Sequence, residues 1–193
     1  MTNLFGIHLE IPFRTLPNFE LAIKSIDMTK VKTIWLRGDL NDLKSHCDEI
    51  NLLLSDFNVL VENDIELALS LSAKAILLKD PDDIQEIKKQ HHNLKIGVVT
   101  NEVVDCKNAE LFKADFVYLG PYQKIGFEPY ESLTPKEPPY EWMILNIIIP
   151  VFAFGNFNQK TLNKMDKHIK LGGIALKLDD FESLSTDSLI FNA

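Results

Sequence analysis

The sequence predicts a (β/α)8 barrel of the TIM type, formed by a single domain over residues 1–193. Eight short apolar runs alternate with amphipathic segments along the chain. In most of these runs, polar residues do not occupy every second position, as expected for strands that are covered on both faces. The 193 residues are enough for one core and too few for two ordinary domains. Such alternation is typical of β-α-β units, and eight of them favour closure of the sheet over an open, doubly wound one.

The predicted strands are apolar and rich in β-branched residues. They cover residues 4–9, 33–37, 58–62, 75–78, 95–99, 116–119, 147–154 and 173–178. Helix signals lie between them. Pro17 suits a first helical turn, Asp64 and Asn158 suit N-caps, and Gly172 suits the end of a helix.

Composition and charge narrow the possible partners and the location. The net charge of −8 argues against nucleic acid, whose phosphates would be repelled. The N-terminus lacks the pattern of a signal peptide, and the most apolar stretch, residues 144–154, is too short to cross a bilayer. Cys47 and Cys106 do not make a disulfide framework. We therefore expect a cytoplasmic protein without membrane or nucleic-acid partners, and an assembly of identical chains is left open.

Polar and small residues follow most of the predicted strands, at the end where barrels of this type bind their ligands. The residues concerned are Arg37, Glu62, Asn63, Asp64, Lys79, Asp82, Gly120, Gly155 and Lys177. One face of the barrel is therefore expected to collect cations, carboxylates and glycines, and this face is the predicted ligand site.

Arg37 and Gly155 each admit two interpretations. A guanidinium at a strand end can hold a phosphate with two parallel hydrogen bonds, or Arg37 can form a structural ion pair with Asp39 or Glu62. Gly155 can let a phosphate approach the backbone closely, or it can be an ordinary turn glycine.

Asp64 and Asp82 also admit two interpretations. One or two carboxylates together with substrate phosphates are the usual way in which proteins hold Mg²⁺. Alternatively, both residues cap the helices that follow them.

The order of motifs resembles the thiamine phosphate synthase and TenI family from the second predicted strand to the eighth. The motifs that carry this resemblance are Thr33-Ile34-Trp35-Leu36-Arg37, Val61-Glu62-Asn63-Asp64-Ile65-Glu66-Leu67-Ala68-Leu69, Ala75-Ile76-Leu77-Leu78, Ile96-Gly97-Val98-Val99-Thr100-Asn101-Glu102, Ala114-Asp115-Phe116-Val117-Tyr118-Leu119-Gly120-Pro121 and Pro150-Val151-Phe152-Ala153-Phe154-Gly155. The resemblance implies a (β/α)8 barrel that acts on small phosphorylated substrates. It implies a transferase that joins a hydroxymethylpyrimidine diphosphate to a thiazole phosphate with Mg²⁺ and releases pyrophosphate.

The same resemblance implies roles for individual residues. Arg37 would hold the diphosphate with Asn63 beside it, Asp64 and Asp82 would bind Mg²⁺, and Gly155 would belong to the thiazole-phosphate pocket. The remaining candidates are Lys124, which would replace the catalytic lysine that the family has after its sixth strand, and Gly120 and Lys177, which would contact substrate.

The chain also departs from the family pattern. Asp39 stands where the family has a lysine after its second strand, and residues 122–127 replace a threonine-rich segment. Asn156 replaces the second of two glycines. Asp179 and Asp180 replace small residues where a phosphate would meet a helix. A carboxylate at that place would repel phosphate, so weak binding of thiazole phosphate is expected.

Three functions follow from these observations. The first is thiamine phosphate synthase activity, reduced or lost. The second is a non-catalytic descendant that binds a ligand or a partner, which the altered phosphate contacts favour. The third is a TenI-like thiazole tautomerase, which is disfavoured because Pro121 stands where that branch has a histidine.

Overall fold

The structure, a computed structural model, describes residues 4–122, 146–164 and 171–185. Within these residues, neighbouring strands pair in parallel in sequence order, and the last strand pairs with the first. The strands are β1 (Gly6–Pro12), β2 (Val31–Arg37), β3 (Asn58–Glu62), β4 (Ala75–Leu78), β5 (Lys95–Thr100), β6 (Phe116–Leu119), β7 (Val151–Phe154) and β8 (Gly173–Lys177). The predicted (β/α)8 barrel is confirmed, and the open sheet is wrong.

Helices follow the strands on the outside of the barrel. The described helices are α1 (Leu16–Ser25), α2 (Leu40–Ser45), α3 (Cys47–Leu53), α4 (Ile65–Ser70), α5 (Ile84–Gln90), α6 (Val103–Leu111), α7 (Gln159–Lys164) and α8 (Leu178–Ser183). Pro17 lies in the first turn of α1. Side-chain oxygens of Asp64 and Asn158 accept the N–H groups of Leu67 and Thr161, each at 2.8 Å, so both predicted caps are confirmed. No helix in the described part of the chain is long and apolar enough to span a membrane.

The largest differences from the predicted strand bounds lie at the end of β1 and at the start of β7. Strand β1 continues to Pro12, because its polar residues His8 and Glu10 alternate with apolar ones that face the helices. Strand β7 begins only at Val151. Ile148, which the apolar run had included, is 93% exposed, and Pro150 lacks the N–H that a strand interior requires.

Helices α2, α3 and α6 each bury one face against the core. The apolar face shared by Leu43, Cys47 and Ile50 is divided between α2 and α3, which meet at His46. Helix α6 buries a face formed by Val103, Cys106 and Ala109, whereas Val104 and Leu111 are largely exposed.

The barrel interior is filled mainly by aromatic rings. Trp35, Phe116, Tyr118 and Phe152 form a buried cluster, distinct from the larger aliphatic core that includes the helices. Each of these residues alternates along its strand with a member of that larger core, so the cluster occupies the inner face of the sheet. Trp35 and Tyr118 have ring centroids 5.1 Å apart, as do Tyr118 and Phe152. The barrel is therefore a packed core, and ligands have access only at its ends.

His8 is the one fully buried histidine in the described residues, and it lies in this interior. Its Nε2 faces the carbonyl oxygen of Leu4, which can only accept, so Nε2 carries the proton. Its Nδ1 accepts the hydroxyl proton of Tyr118. Burial lowers the pKa of His8 to about 4, although the hydrogen bond to Leu4 acts in the opposite direction. The ring is therefore neutral at physiological pH.

Candidate functional site at the mouth of the barrel

Arg37 ends β2 and is held between two carboxylates. Its Nε lies 3.3 Å from Oε2 of Glu62, and its Nη1 lies 3.7 Å from Oε1 of Glu10. The guanidinium carbon is 5.1 Å from the centre of the Trp35 ring, within the range of a cation–π contact. Asp39 does not pair with Arg37 and caps α2 instead. The structure thus contains an ion pair with Glu62, while the role of Arg37 in substrate binding stays a prediction.

A cleft of about 270 Å³ opens at the carboxyl ends of β2, β3 and β4, and Arg37, Glu62, Asn63 and Lys79 form its polar lining. We call it the β2–β4 cleft. Lys79 Nζ lies 3.4 Å from Oε1 of Glu62, so this one carboxylate joins both cations. Asn63 adopts a positive φ of 53° and accepts the backbone N–H of Lys79 at 3.0 Å. The asparagine therefore fixes the end of β4 relative to the end of β3.

Asp64 follows β3, and both of its carboxylate oxygens are engaged. Oδ1 accepts the N–H of Leu67 as the cap of α4, and Oδ2 lies 2.8 Å from Nζ of Lys44 on α2. Burial alone would raise the pKa of Asp64, but the hydrogen bonds from Lys44 and Leu67 outweigh it and leave the pKa below its usual value. Asp64 therefore joins α2 to α4 as an ionised carboxylate.

These contacts bear on the predicted Mg²⁺ site. Asp82 is exposed, and its backbone N–H donates to Asp80 Oδ1. Within residues 4–122, 146–164 and 171–185, no group of three or more His, Cys, Asp or Glu side chains stands together in a position to hold a metal ion. Because Lys44 already neutralises Asp64, the residues as arranged do not fit a divalent ion. The assignment of Mg²⁺ to Asp64 and Asp82 stays a prediction.

The structure explains why glycine occupies positions 120 and 155. A Cβ on Gly120 would lie 2.4 Å from the carbonyl oxygen of Phe154 and 2.7 Å from its ring, so only glycine fits there. Gly155 has a φ of 139°, a conformation that favours glycine. The interpretation of Gly155 as a turn glycine therefore has a structural basis. The contacts of Gly120 and Gly155 with substrate stay predictions.

A second cavity, of about 500 Å³, lies at the carboxyl ends of β1 and β8 beside α1. We call it the β1–β8 cavity. Its charged lining consists of Glu10, Arg14, Lys177 and Asp179. Asp180 points elsewhere: its Oδ2 is buried without a hydrogen-bond partner in the described part of the chain. Of the two carboxylates expected beside a phosphate, the structure thus brings only Asp179 to the cavity.

Three charged residues of this region were missed by sequence reasoning, namely Glu10, Arg14 and Lys44. The alternation of His8 and Glu10 with apolar neighbours in β1 could have revealed Glu10. No sequence signal distinguishes Arg14 or Lys44 from ordinary surface cations. Lys124, a predicted catalytic residue, lies outside the described residues.

Fold and site together define a (β/α)8-barrel protein with charged cavities at the carboxyl ends of its strands, where barrels of this class bind their ligands. The family model described as thiamine monophosphate synthase matches residues 19–177. The chain belongs to this thiamine monophosphate synthase (TenI) family.

Solved structures agree with the fold. A thiamine phosphate pyrophosphorylase from Pyrococcus furiosus is similar with a TM-score of 0.64 and 19% identity, over 91% of this chain and 86% of that one. An N-acetylmannosamine-6-phosphate 2-epimerase from Clostridium perfringens is similar with a TM-score of 0.61 and 11% identity, over 89% of this chain and 86% of that one. The comparison with curated proteins gives no match. At these identities, the solved structures are evidence for the fold alone.

Proposed function

We propose that the protein is a transferase of the thiamine phosphate synthase type, with low activity. It would join a hydroxymethylpyrimidine diphosphate to a thiazole phosphate and release pyrophosphate. The observation that carries this proposal is the β2–β4 cleft, in which Arg37, Lys79 and Asn63 supply two cations and an amide where the family places the diphosphate. Membership of the family supplies the substrate class.

The chemistry requires stabilisation of a leaving group. The bond between the pyrimidine methylene carbon and the diphosphate oxygen breaks, and its electron pair leaves with the diphosphate. The lone pair of the thiazole nitrogen then forms the new carbon–nitrogen bond, so no proton is transferred. Arg37 and Lys79 would offset the charge that grows on the leaving oxygen, which is electrostatic catalysis without a covalent intermediate.

The ion pairs at Glu62 do not prevent diphosphate from binding. The side chains of Arg37 and Lys79 are 41% and 71% exposed, so their pairs with Glu62 are partly solvated. Pairs of this kind contribute roughly 0–1 kcal/mol. A diphosphate carries more charge than one carboxylate and offers bidentate geometry to arginine, so it can displace Glu62. Glu62 therefore lowers the affinity without closing the cleft.

Two further elements of the family mechanism remain expectations. Mg²⁺ would supply additional charge for the leaving group, and the contacts of Asp64 with Lys44 and Leu67 do not fit it as they stand. Lys124 would replace the family's lysine after the sixth strand. The steps described above depend on neither.

A second candidate function, binding without turnover, is favoured by the carboxylates of the site. Glu10 and Glu62 both neutralise Arg37, and Asp179 lines the cavity on the other side of the mouth. A protein with these features can hold a pyrimidine diphosphate yet fail to bind thiazole phosphate, whose nitrogen must attack it. A cytoplasmic location remains an expectation for either function, and an assembly of identical chains remains open.

The experiment is a calorimetric titration of the pyrimidine diphosphate, with and without Mg²⁺, combined with an assay for thiamine phosphate. The variants are Arg37→Gln and, as a matched control, Lys32→Gln, since Lys32 is an exposed cation nearer the opposite end of the same strand. Loss of one charged hydrogen-bonding partner should weaken binding about tenfold or more in Arg37→Gln, with the control unchanged. Binding with product supports the transferase, binding without product supports the second candidate, and no binding contradicts both.

A further inference from the structure

The β1–β8 cavity is larger than the β2–β4 cleft, and its volume of about 500 Å³ suits a small ligand. It lies on the other side of Arg37 from the β2–β4 cleft, with Glu10 as the residue between them. The proposed diphosphate site does not use Arg14, Asn18 or Asp179. The cavity is thus separate from the proposed diphosphate site, and its carboxylates disfavour the phosphate of the second substrate.

Three of the four charged groups that line this cavity are exposed and have no partner among the described residues, whereas Glu10 contacts Arg37. Within the described residues, Arg14, Lys177 and Asp179 form no ion pair and no side-chain hydrogen bond. The neighbouring cations Arg37 and Lys79, in contrast, are both paired with Glu62. Charged groups that share a concave surface without pairing with one another leave their donors and acceptors to a ligand.

The balance of charge decides which ligand fits. Arg14 and Lys177 are opposed by Glu10 and Asp179, so the lining has no net charge. A phosphate dianion would meet a carboxylate as well as the cations, and two charges a few ångströms apart repel by about 1 kcal/mol in water and by more near a protein surface. A molecule that carries one carboxylate and one ammonium group meets an opposite charge with each end. The lining therefore favours a zwitterion.

The remaining walls are apolar. Ile11, Pro12, Phe19, Ala22 and Leu178 line the same cavity, and Phe19 is buried. This surface offers contact to a hydrocarbon side chain. We propose that the β1–β8 cavity is a binding site for an α-amino acid with an apolar side chain. Arg14 and Lys177 bind its carboxylate, and Asp179 and Glu10 bind its ammonium group. This inference goes beyond the proposed function and does not depend on it.

Three probes of similar shape test the charge argument. L-leucine carries both charges, 4-methylpentanoate lacks the ammonium group, and 3-methylbutylamine lacks the carboxylate. Each is titrated into the full chain and followed by ligand-observed NMR. L-leucine should bind saturably and about tenfold or more tightly than either partial probe, because each lost charge forfeits a charged hydrogen bond. No saturable binding of L-leucine, or equal binding of all three probes, overturns the proposal.

Variants then locate the site. Arg14→Gln and Asp179→Asn should each weaken L-leucine binding roughly tenfold. Lys24→Gln, an exposed lysine on α1 that pairs with Glu20, should leave it unchanged. Unaltered thermal unfolding and unaltered pyrimidine diphosphate binding in Arg14→Gln keep this result distinct from a failure of the proposed function. L-leucine binding that survives both variants places the ligand elsewhere and overturns the proposal.

Discussion

The two sides of the barrel mouth use similar residues in opposite ways. In the β2–β4 cleft, Arg37 and Lys79 already share the carboxylate of Glu62. In the β1–β8 cavity, Arg14 and Lys177 have no such partner among the described residues. Arg37 and Asn63 of the cleft have the residue types that the family resemblance implies, whereas Asp179 of the cavity departs from it. A retained residue type therefore does not establish a retained contact, because the neighbouring charges decide what remains available to a ligand.

The largest expected effect is a loss of folding stability when His8, in the barrel interior that supports both cavities, becomes protonated. The unfolded chain binds a proton at His8 near pH 6.5, whereas burial lowers the pKa of His8 in the folded protein to about 4. Stability should therefore fall as the pH drops from about 6.5 to about 4, by about 3 kcal/mol in total. Urea unfolding across this range measures the loss.

His8→Gln is the matched variant for this prediction. Glutamine can donate to Leu4 and accept from Tyr118 as the neutral ring does, yet it does not titrate. The variant should lose most of the dependence on pH. An equally steep loss of stability in the variant would show that other groups cause it.

A smaller loss of stability is expected where Gly120, after β6, packs against Phe154 of β7. In Gly120→Ala, the new methyl group would overlap the carbonyl oxygen of Phe154, which is backbone and cannot easily move. Overpacking of this kind costs about 2 kcal/mol. Gly155→Ala is the comparison, since its expected cost comes from a backbone φ of 139°, which favours glycine. Urea unfolding measures both, and a stability of Gly120→Ala equal to that of the wild type would contradict the packing account.

Substitutions of Asp64, beside the β2–β4 cleft, distinguish a structural role of this carboxylate from metal binding. Asp64→Ala removes the cap of α4 and should cost about 1 kcal/mol of stability. Asp64→Asn keeps a capping oxygen and loses only the ion pair with Lys44, so it should cost less. If both variants instead abolish a Mg²⁺-dependent increase in pyrimidine diphosphate binding while stability is unchanged, Asp64 is a metal ligand and the structural account is wrong.

The smallest expected effect is a change in the affinity for thiazole phosphate when Asp179 of the β1–β8 cavity is replaced. Asp179→Ser removes an exposed carboxylate from the place where the family pattern expects phosphate. The affinity for thiazole phosphate should rise a few-fold, and more at low salt than at high salt, because exposed charges are screened. Asp180→Ser is the control, since Asp180 does not line the cavity. An equal gain in both variants would indicate a general effect of net charge.

The sequence predicted the architecture well because strand signals are local. Strands β3, β4 and β6 have the predicted bounds, since each is a short apolar run next to polar residues. The start of β7 was wrong because Ile147 and Ile148 continue the apolar pattern while lying outside the strand. For such apolar runs, composition does not distinguish the strand from the residues that precede it.

The site was less predictable, because pairing depends on residues that are distant in sequence. The interpretation of Asp64 as a cap rests on Leu67, three residues away, and was available from the sequence. Its second partner, Lys44, comes from another helix and was not. Arg37 was correctly paired with Glu62 as one of two alternatives, whereas Glu10 was missed because β1 was expected to end before it.

We expect the mouth of the barrel to bind the pyrimidine diphosphate and to disfavour thiazole phosphate. The most direct measurement is a calorimetric titration of the wild-type protein with the pyrimidine diphosphate and, separately, with thiazole phosphate, at the same moderate salt concentration. The account predicts saturable binding of the diphosphate and at least roughly tenfold weaker binding of thiazole phosphate. Thiazole phosphate binding as tight as that of the diphosphate would contradict the account.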